Sequence, residues 1–195
     1  MIDDGSKDET GKVLARLAEQ LGPRLEILNQ TNRGHGQTCL RGYRIAIERG
    51  IPFVSQLDSD GQCDPQYFFR FWRVRHEFDV VYGNRKRRDD GWRRILASGI
   101  LKWMLFLATR TWCIDANCPY RLMRTGVLPD PVAKIGEDFF LANVALAALL
   151  RRTPGIRQHA IPIRFRERYG GEPSVRMSRF GDKAIELIRQ LRSLV

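Results

Sequence analysis

The distribution of apolar residues constrains the fold of this chain more than any other feature. Three runs read as buried or half-buried strands: residues 52–57 (PFVSQL), 78–82 (FDVVY) and 158–165 (QHAIPIRF). A fourth run, residues 24–29 (RLEILN), reads the same way nearer the N-terminus. Segments with helical spacing surround them, at residues 9–21, 37–49, 65–77, 92–110, 138–151 and 177–194. Strands spaced by helices of this length predict right-handed crossovers and parallel pairing. The expected class is therefore α/β, a mainly parallel sheet flanked by helices. The 195 residues suit a single domain, expected to span 1–195. The chain opens on Asp3-Asp4-Gly5-Ser6, a turn signal with no strand evident before it.

Charge narrows the range of partners. Lys and Arg exceed Asp and Glu by 33 to 22, a net charge of +11, which favours polyanions: nucleic acid, anionic lipid or phosphorylated substrates. Most of the cations are arginines, whose planar fork suits phosphate. No nucleic-acid-binding motif accompanies them, so a nucleic-acid partner is not expected. Cys39, Cys63, Cys113 and Cys118 form no C-x-x-C pair. That argues against a zinc site or a disulfide scaffold and for reduced thiols in the cytoplasm. The acidic, polar start does not read as a signal peptide. The longest apolar stretch, residues 95–109, is broken by Lys102 and is short for a membrane span.

The sharpest local motif is Asp58-Ser59-Asp60-Gly61-Gln62, directly after the strand at 52–57. Ligands of open α/β sheets sit at the carboxyl ends of strands. Asp58, Asp60 and Gln62 offer hard oxygen donors suited to Mg²⁺ or Mn²⁺. The same residues also read as an Asp-rich turn. Basic clusters at 85–88, Arg93/Arg94 and 164–179 offer phosphate ligands or simply a solvated charge run. Asn32-Arg33-Gly34-His35-Gly36 is a Gly-bearing loop ahead of a helix whose N-terminus suits an anion. Glu137 and Asp138 open an apolar helix, as capping acids or as a candidate base. His35, His76 and His159 are scattered and suggest no triad or metal site.

Taken in order, these segments resemble a known family. Asp3-Asp4-Gly5-Ser6-Lys7-Asp8-Glu9-Thr10 resembles the DDGS-x-D-x-T signature of the family 2 glycosyltransferases of GT-A type. Asn32-Arg33-Gly34 resembles its N-x-G loop, and Asp58-Ser59-Asp60-Gly61-Gln62 its D-x-D motif. Gly83-Asn84-Arg85 is similar to the G-x-R segment. Residues 115–124 (DANCPYRLMR) and 168–174 (RYGGEPS) are similar to two later blocks. The D-x-D-x-Q form resembles that of the polyprenyl-phosphate sugar transferases and dolichol-phosphate mannose synthase. Nothing matches the family's opening strand and N-E loop. The resemblance thus implies a Rossmann-like GT-A fold lacking its first βα unit.

It further implies an inverting, metal-dependent transfer from a nucleotide-diphosphate sugar to a lipid-phosphate acceptor, with Mg²⁺ or Mn²⁺. By the same resemblance, Asp3 and Asp4 lie by the nucleotide base. Asp58, Asp60 and Gln62 hold the metal at the diphosphate. Arg85, Arg93, Arg94 and Arg168 contact phosphates, and Asp138 is a candidate base for a hydroxyl acceptor. Trp92, Trp103, Phe106 and Trp112, with Arg93, Arg94, Lys102 and Arg110, suit either an interfacial helix on the inner face of a membrane or packing on the sheet. The alternatives are a saccharide-directed transferase or an incomplete, inactive one.

Overall fold

The computed structural model describes residues 1–88, 92–137, 139, 141–167 and 180–194. Along the chain run β1 (Ile2–Asp3), α1 (Thr10–Leu21), β2 (Leu28–Asn29), α2 (His35–Glu48), β3 (Phe53–Gln56), α3 (Phe68–Arg73) and β4 (Val80–Arg88). They are followed by α4 (Trp92–Thr109), β5 (Arg121–Arg124), α5 (Pro129–Lys134), α6 (Ala142–Arg152), β6 (Gln158–Phe165) and α7 (Phe180–Ser193).

Four strands make one sheet in the order β3-β5-β4-β6. β3, β4 and β6 share one direction, as the alternation of strands and helices predicts. β5 lies between β3 and β4 and is antiparallel to both. The sequence shows no strand here, because Arg121 and Arg124 bracket only Leu122 and Met123. β4 also runs six residues past the predicted end, since this stretch pairs in parallel with Ile161–Phe165 of β6, with a register shift between Arg85 and Arg87. β1 and β2 form a separate two-stranded parallel sheet, with Ile2 opposite Leu28 and Asp3 opposite Asn29. This corrects the expectation that the opening turn has no strand before it: Leu28 and Gln30 donate to the Met1 and Asp3 carbonyls. The expected helix at 138–151 begins only at Ala142.

The side-chain alternation of the strands divides the core. Val80 of β4 and Met123 of β5 face a large cluster with Leu40 and Tyr43 of α2, Leu101, Met104 and Leu105 of α4, and much of α6. Val81, Leu122, Ile161, Ile163 and Phe165 point the other way, to Phe71 of α3, Cys118 and Tyr120. The sheet is thus covered on both faces, and its loops are left to converge at the ends of the strands.

Candidate functional site

The loop after β1 and the loop after β2 are locked together by one carboxylate. Asp4 Oδ1 accepts from the Arg33 amide at 2.8 Å and from Gln30 Nε2 at 2.6 Å, and Oδ2 accepts from the Gly34 amide at 2.8 Å. Partial burial raises the Asp4 pKa, but these bonds and one involving Thr38 outweigh it and hold the carboxyl below its usual range. Two glycines permit the approach. Gly34 precedes α2 with φ +83°, where other residues are strained. At Gly5, φ +77°, a Cβ would meet the Asn32 nitrogen at 3.0 Å and the Gln30 carbonyl at 3.2 Å. Asp3 is spent locally: its Oδ1 accepts from the Ser6 amide at 3.1 Å and the Ser6 hydroxyl at 2.5 Å.

The same loop reaches the end of β3. His35, the first residue of α2, lies with Nε2 2.9 Å from Asp58 Oδ1. Asp58, and then the sulfur of Cys39 at 3.7 Å, raise the His35 pKa well above its ordinary value. Gln56 Nε2 stands 3.5 Å from the same Asp58 oxygen, and Tyr43 donates its hydroxyl to Gln56 Oε1. Asp60 Oδ1 accepts from the Gln62 amide at 3.1 Å, which shapes the turn. Gln62 is buried, with Nε2 donating to the Arg166 carbonyl at 3.0 Å. Arg166 returns a backbone bond to the Gln62 carbonyl and ion-pairs with Asp64. The segment 58–64 is therefore tied to α2 on one side and to the chain just past β6 on the other.

A third contact draws in the chain ahead of α6. Arg33 Nη2 meets Glu137 Oε2 at 2.6 Å, and Gln37 Nε2 donates to the Gly136 carbonyl at 3.1 Å. Gly36 makes this packing close, because a Cβ there would lie 3.1 Å from that of Ala142.

Arg85 pairs with a carboxylate of the 115–124 block. Its Nε and Nη2 grip Asp115 at 2.8 and 2.6 Å, and its own amide donates to Asp115 Oδ2 at 3.1 Å. The two side chains are only 8% and 11% exposed, and the guanidinium lies 5.0 Å from the Phe165 ring centre. A phosphate would have to displace a bidentate carboxylate there. The neighbouring Arg121 is 3% exposed and donates to the carbonyls of Cys118, Asn143 and Ala116 at 2.9, 3.1 and 2.5 Å. It thereby fixes the loop before β5 to the start of α6.

The structure thus brings together Asp4, Asp58, Asp60 and Gln62 through the loops that carry them, with Asp3 on the adjoining turn. Arg85 pairs with Asp115 and lies over the ring of Phe165, whose backbone bridges Cys63 just past the Asp58–Gln62 turn. Asp138 and Arg168 lie outside the described residues. Arg93 and Arg94 fall in the first turn of α4, and their side chains are likewise outside them. From the sequence, Arg33 and His35 enter only as members of the Asn32–Gly36 loop, and Asp115 and Arg121 only as members of the 115–124 block. Their partners are distant in the chain or are backbone atoms, so only the resemblance of 115–124 to a family block could have flagged the last two.

As a cation site, the Asp58–Gln62 turn fits Mg²⁺ or Mn²⁺ by its donor set, two carboxylates and an amide oxygen. Among the described residues no cluster of three or more His, Cys, Asp or Glu side chains is placed to hold a metal. A cation on Asp58 would therefore depend on oxygens from its ligand as well, and would compete with His35 for Oδ1.

Comparison with known proteins identifies the family. The model of glycosyl transferase family 2 matches residues 1–126. The undecaprenyl-phosphate 4-deoxy-4-formamido-L-arabinose transferase of Serratia proteamaculans is 32% identical over 130 residues, covering 66% of this chain and 39% of that protein. The undecaprenyl-phosphate mannosyltransferase of Micrococcus luteus is 27% identical over 202 residues, covering 97% and 80%. The crystal structure of Mycobacterium tuberculosis glucosyl-3-phosphoglycerate synthase, with Mn²⁺, UDP-glucose and glycerol 3-phosphate, superposes with a TM-score of 0.59 at 14% identity. It covers 99% of this chain and 67% of that one. This last likeness bears on the fold alone. The chain spans 39% of the Serratia protein and 51% of the corresponding enzyme of Edwardsiella ictaluri. The family match covers well over half of the chain and includes the Asp4 loop, the Asn32–Gly36 loop and the Asp58–Gln62 turn, so the chain belongs to glycosyltransferase family 2 and has the GT-A fold.

Proposed function

We propose that the protein transfers a sugar from a nucleotide-diphosphate sugar to a polyprenyl-phosphate acceptor, with inversion at the anomeric carbon and with Mg²⁺ or Mn²⁺ bound at Asp58, Asp60 and Gln62. The observation that carries this reading is the convergence of the loops after β1, β2 and β3 on linked carboxylates, Asp4 through Arg33 and Gly34, and Asp58 through His35. The names of the polyprenyl-phosphate transferases among its relatives support the acceptor class.

In this reading an oxygen of the lipid phosphate attacks the anomeric carbon. The bond from that carbon to the nucleoside diphosphate breaks, and its electron pair leaves with the diphosphate. The acceptor is already an anion, so it needs little help from a base. The cation would supply Lewis-acid stabilisation of the departing diphosphate. The chain's residues hold the geometry. Asp4 fixes the base-side loops, with Asp3 on the neighbouring turn, and Gln56 and His35 orient Asp58. Arg85 acts through Asp115 to set the end of β4, while Arg93, Arg94 and Arg168 offset phosphate charge. The work would take place on the cytoplasmic face of a membrane.

A second reading, transfer to a hydroxyl with Asp138 as base, draws support from the contacts that hold Gly136 and Glu137 against the Asn32–Gly36 loop. The test is to supply the purified chain with Mn²⁺, a panel of nucleotide sugars and undecaprenyl phosphate in detergent, and to follow the glycolipid by mass spectrometry. Glycolipid that forms with wild type and not with Asp60→Asn supports the proposal. Absence of product with every donor contradicts it. Loss of product on Asp138→Asn would favour the second reading.

A further inference from the structure

Residues 62–67 are stitched to the chain at the end of β6. Cys63 and Phe165 face each other in an isolated antiparallel bridge. The Gln62 carbonyl accepts from the Arg166 amide at 2.9 Å, and the Tyr67 hydroxyl accepts from the Arg164 amide at 3.0 Å. The Arg166 guanidinium ion-pairs with Asp64 Oδ2, while Asp64 Oδ1 accepts from the Gln66 amide at 3.0 Å. Asp64 thus holds its own turn with one oxygen and Arg166 with the other.

This seam closes on one side chain of the proposed cation site. Gln62 is 2% exposed, and its Nε2 donates to the Arg166 carbonyl at 3.0 Å. A backbone carbonyl can only accept, so this bond fixes which end of the amide faces it. Oε1 is left as the open end, and it takes no hydrogen bond from the described residues. An amide serves a cation only through its oxygen. Turned over, it would offer the cation an NH₂ group and set Oε1 against the Arg166 carbonyl. Metal ligands are commonly held in orientation by a hydrogen-bond partner behind them. The carbonyl of Arg166 stands in that position for Gln62, and Asp64 holds the Arg166 side chain.

We propose that Arg166 is a positioning residue for the cation. Its carbonyl locks the Gln62 amide with Oε1 open, and its ion pair with Asp64 keeps that carbonyl in place. The proposal rests on the reading of Asp58, Asp60 and Gln62 as cation ligands given above. The side chains of Arg166 and Asp64 are 45% and 17% exposed. A pair so open to water adds little to global stability, so its loss should appear in cation affinity rather than in Tm.

The test titrates Mn²⁺ into the full chain with UDP, and separately with GDP, and counts bound ion by the loss of the free-ion EPR signal. Nucleotide-only controls subtract the ion that the nucleotide holds. Arg166→Met and Asp64→Asn should each weaken Mn²⁺ binding roughly tenfold, the lower range for groups that orient a metal ligand. The double variant should be no weaker than either single one, because both changes break the same pair. Arg166→Lys should stay close to wild type, since Asp64 is met at a single point. The Tm of all four variants should lie within about 4 °C of wild type. In the transfer assay, the Mn²⁺ concentration for half-maximal rate should rise by the same factor, with the rate at saturating Mn²⁺ retained.

Asp60→Asn separates this proposal from the function it rests on. If Asp60→Asn loses Mn²⁺ while Arg166→Met and Asp64→Asn bind it as wild type does, the cation site stands and the positioning role is overturned. Additive losses in the double variant also overturn it, as does a loss that Arg166→Lys fails to restore and that tracks a fall in Tm. A wild type that binds no more Mn²⁺ than Asp60→Asn refutes the cation site itself, and the role of Arg166 falls with it.

Discussion

Replacing Asp115 by Ala removes one half of a bidentate pair whose side chains are 8% and 11% exposed. The Arg85 guanidinium loses its contacts at 2.8 and 2.6 Å, and the Arg85 amide loses its acceptor at 3.1 Å. Breaking a buried pair from one side costs about 3–5 kcal/mol, most of it the penalty of an uncompensated charge. Arg85 retains contacts other than Asp115, among them the ring of Phe165, so about 3 kcal/mol is expected. In a domain of this size each kcal/mol moves Tm by about 2–4 °C, which gives a fall of roughly 6–12 °C. Thermal unfolding followed by circular dichroism measures it. Arg85→Met with Asp115→Leu should recover most of the loss, because no buried charge is left alone. A fall in Tm smaller than about 3 °C, or a double variant as weak as Asp115→Ala, would refute the claim that Arg85 serves Asp115.

Other expectations follow from single contacts. The Asp4 carboxyl is held below its ordinary value of 3.8 by its hydrogen bonds, so the stability it contributes is present above that pH and is lost as pH falls through the lower folded value. An NMR titration of Asp4 should therefore show a midpoint under 3.8. Gly83→Ala places a Cβ 2.6 Å from Ile163 Cδ1 and 2.9 Å from Cys118 Sγ. We expect a loss of about 1 kcal/mol by urea unfolding, at the lower end for overpacking because both neighbours are side-chain ends. Burial pushes the Cys118 thiol up to about 12 and raises those of Cys63 and Cys113. Brief iodoacetamide treatment of the native protein, read by mass spectrometry, should label the partly exposed Cys39 and spare the other three.

The strands at 52–57, 78–82 and 158–165 were legible because apolar runs bounded by turn residues leave few other options. β5 was not, since its pairing depends on strands roughly forty and seventy residues upstream rather than on its own pattern. β1 escaped for a similar reason: two residues, Ile2 and Asp3, carry no periodicity, and only β2 makes them a strand. At the site, the Asp58–Gln62 turn was readable as a place where carboxylates gather at a strand end. What fixes those carboxylates was not. Asp4 is bound by backbone amides of Arg33 and Gly34, which no side-chain pattern announces. His35 read as a solitary histidine until the fold set it against Asp58, 23 residues away. The pairing of Arg85 with Asp115 was not legible either, because the two stand 30 residues apart in sequence.

The most direct measurement is calorimetric titration of the chain with UDP and with GDP, with and without Mn²⁺, for wild type and Asp60→Asn. We expect one of the two nucleotides to bind wild type only when Mn²⁺ is present, and Asp60→Asn to lose about tenfold or more of that affinity. Binding that is indifferent to Mn²⁺ and to Asp60, or no binding of either nucleotide, would contradict a metal-assisted nucleotide-sugar site at the Asp58–Gln62 turn.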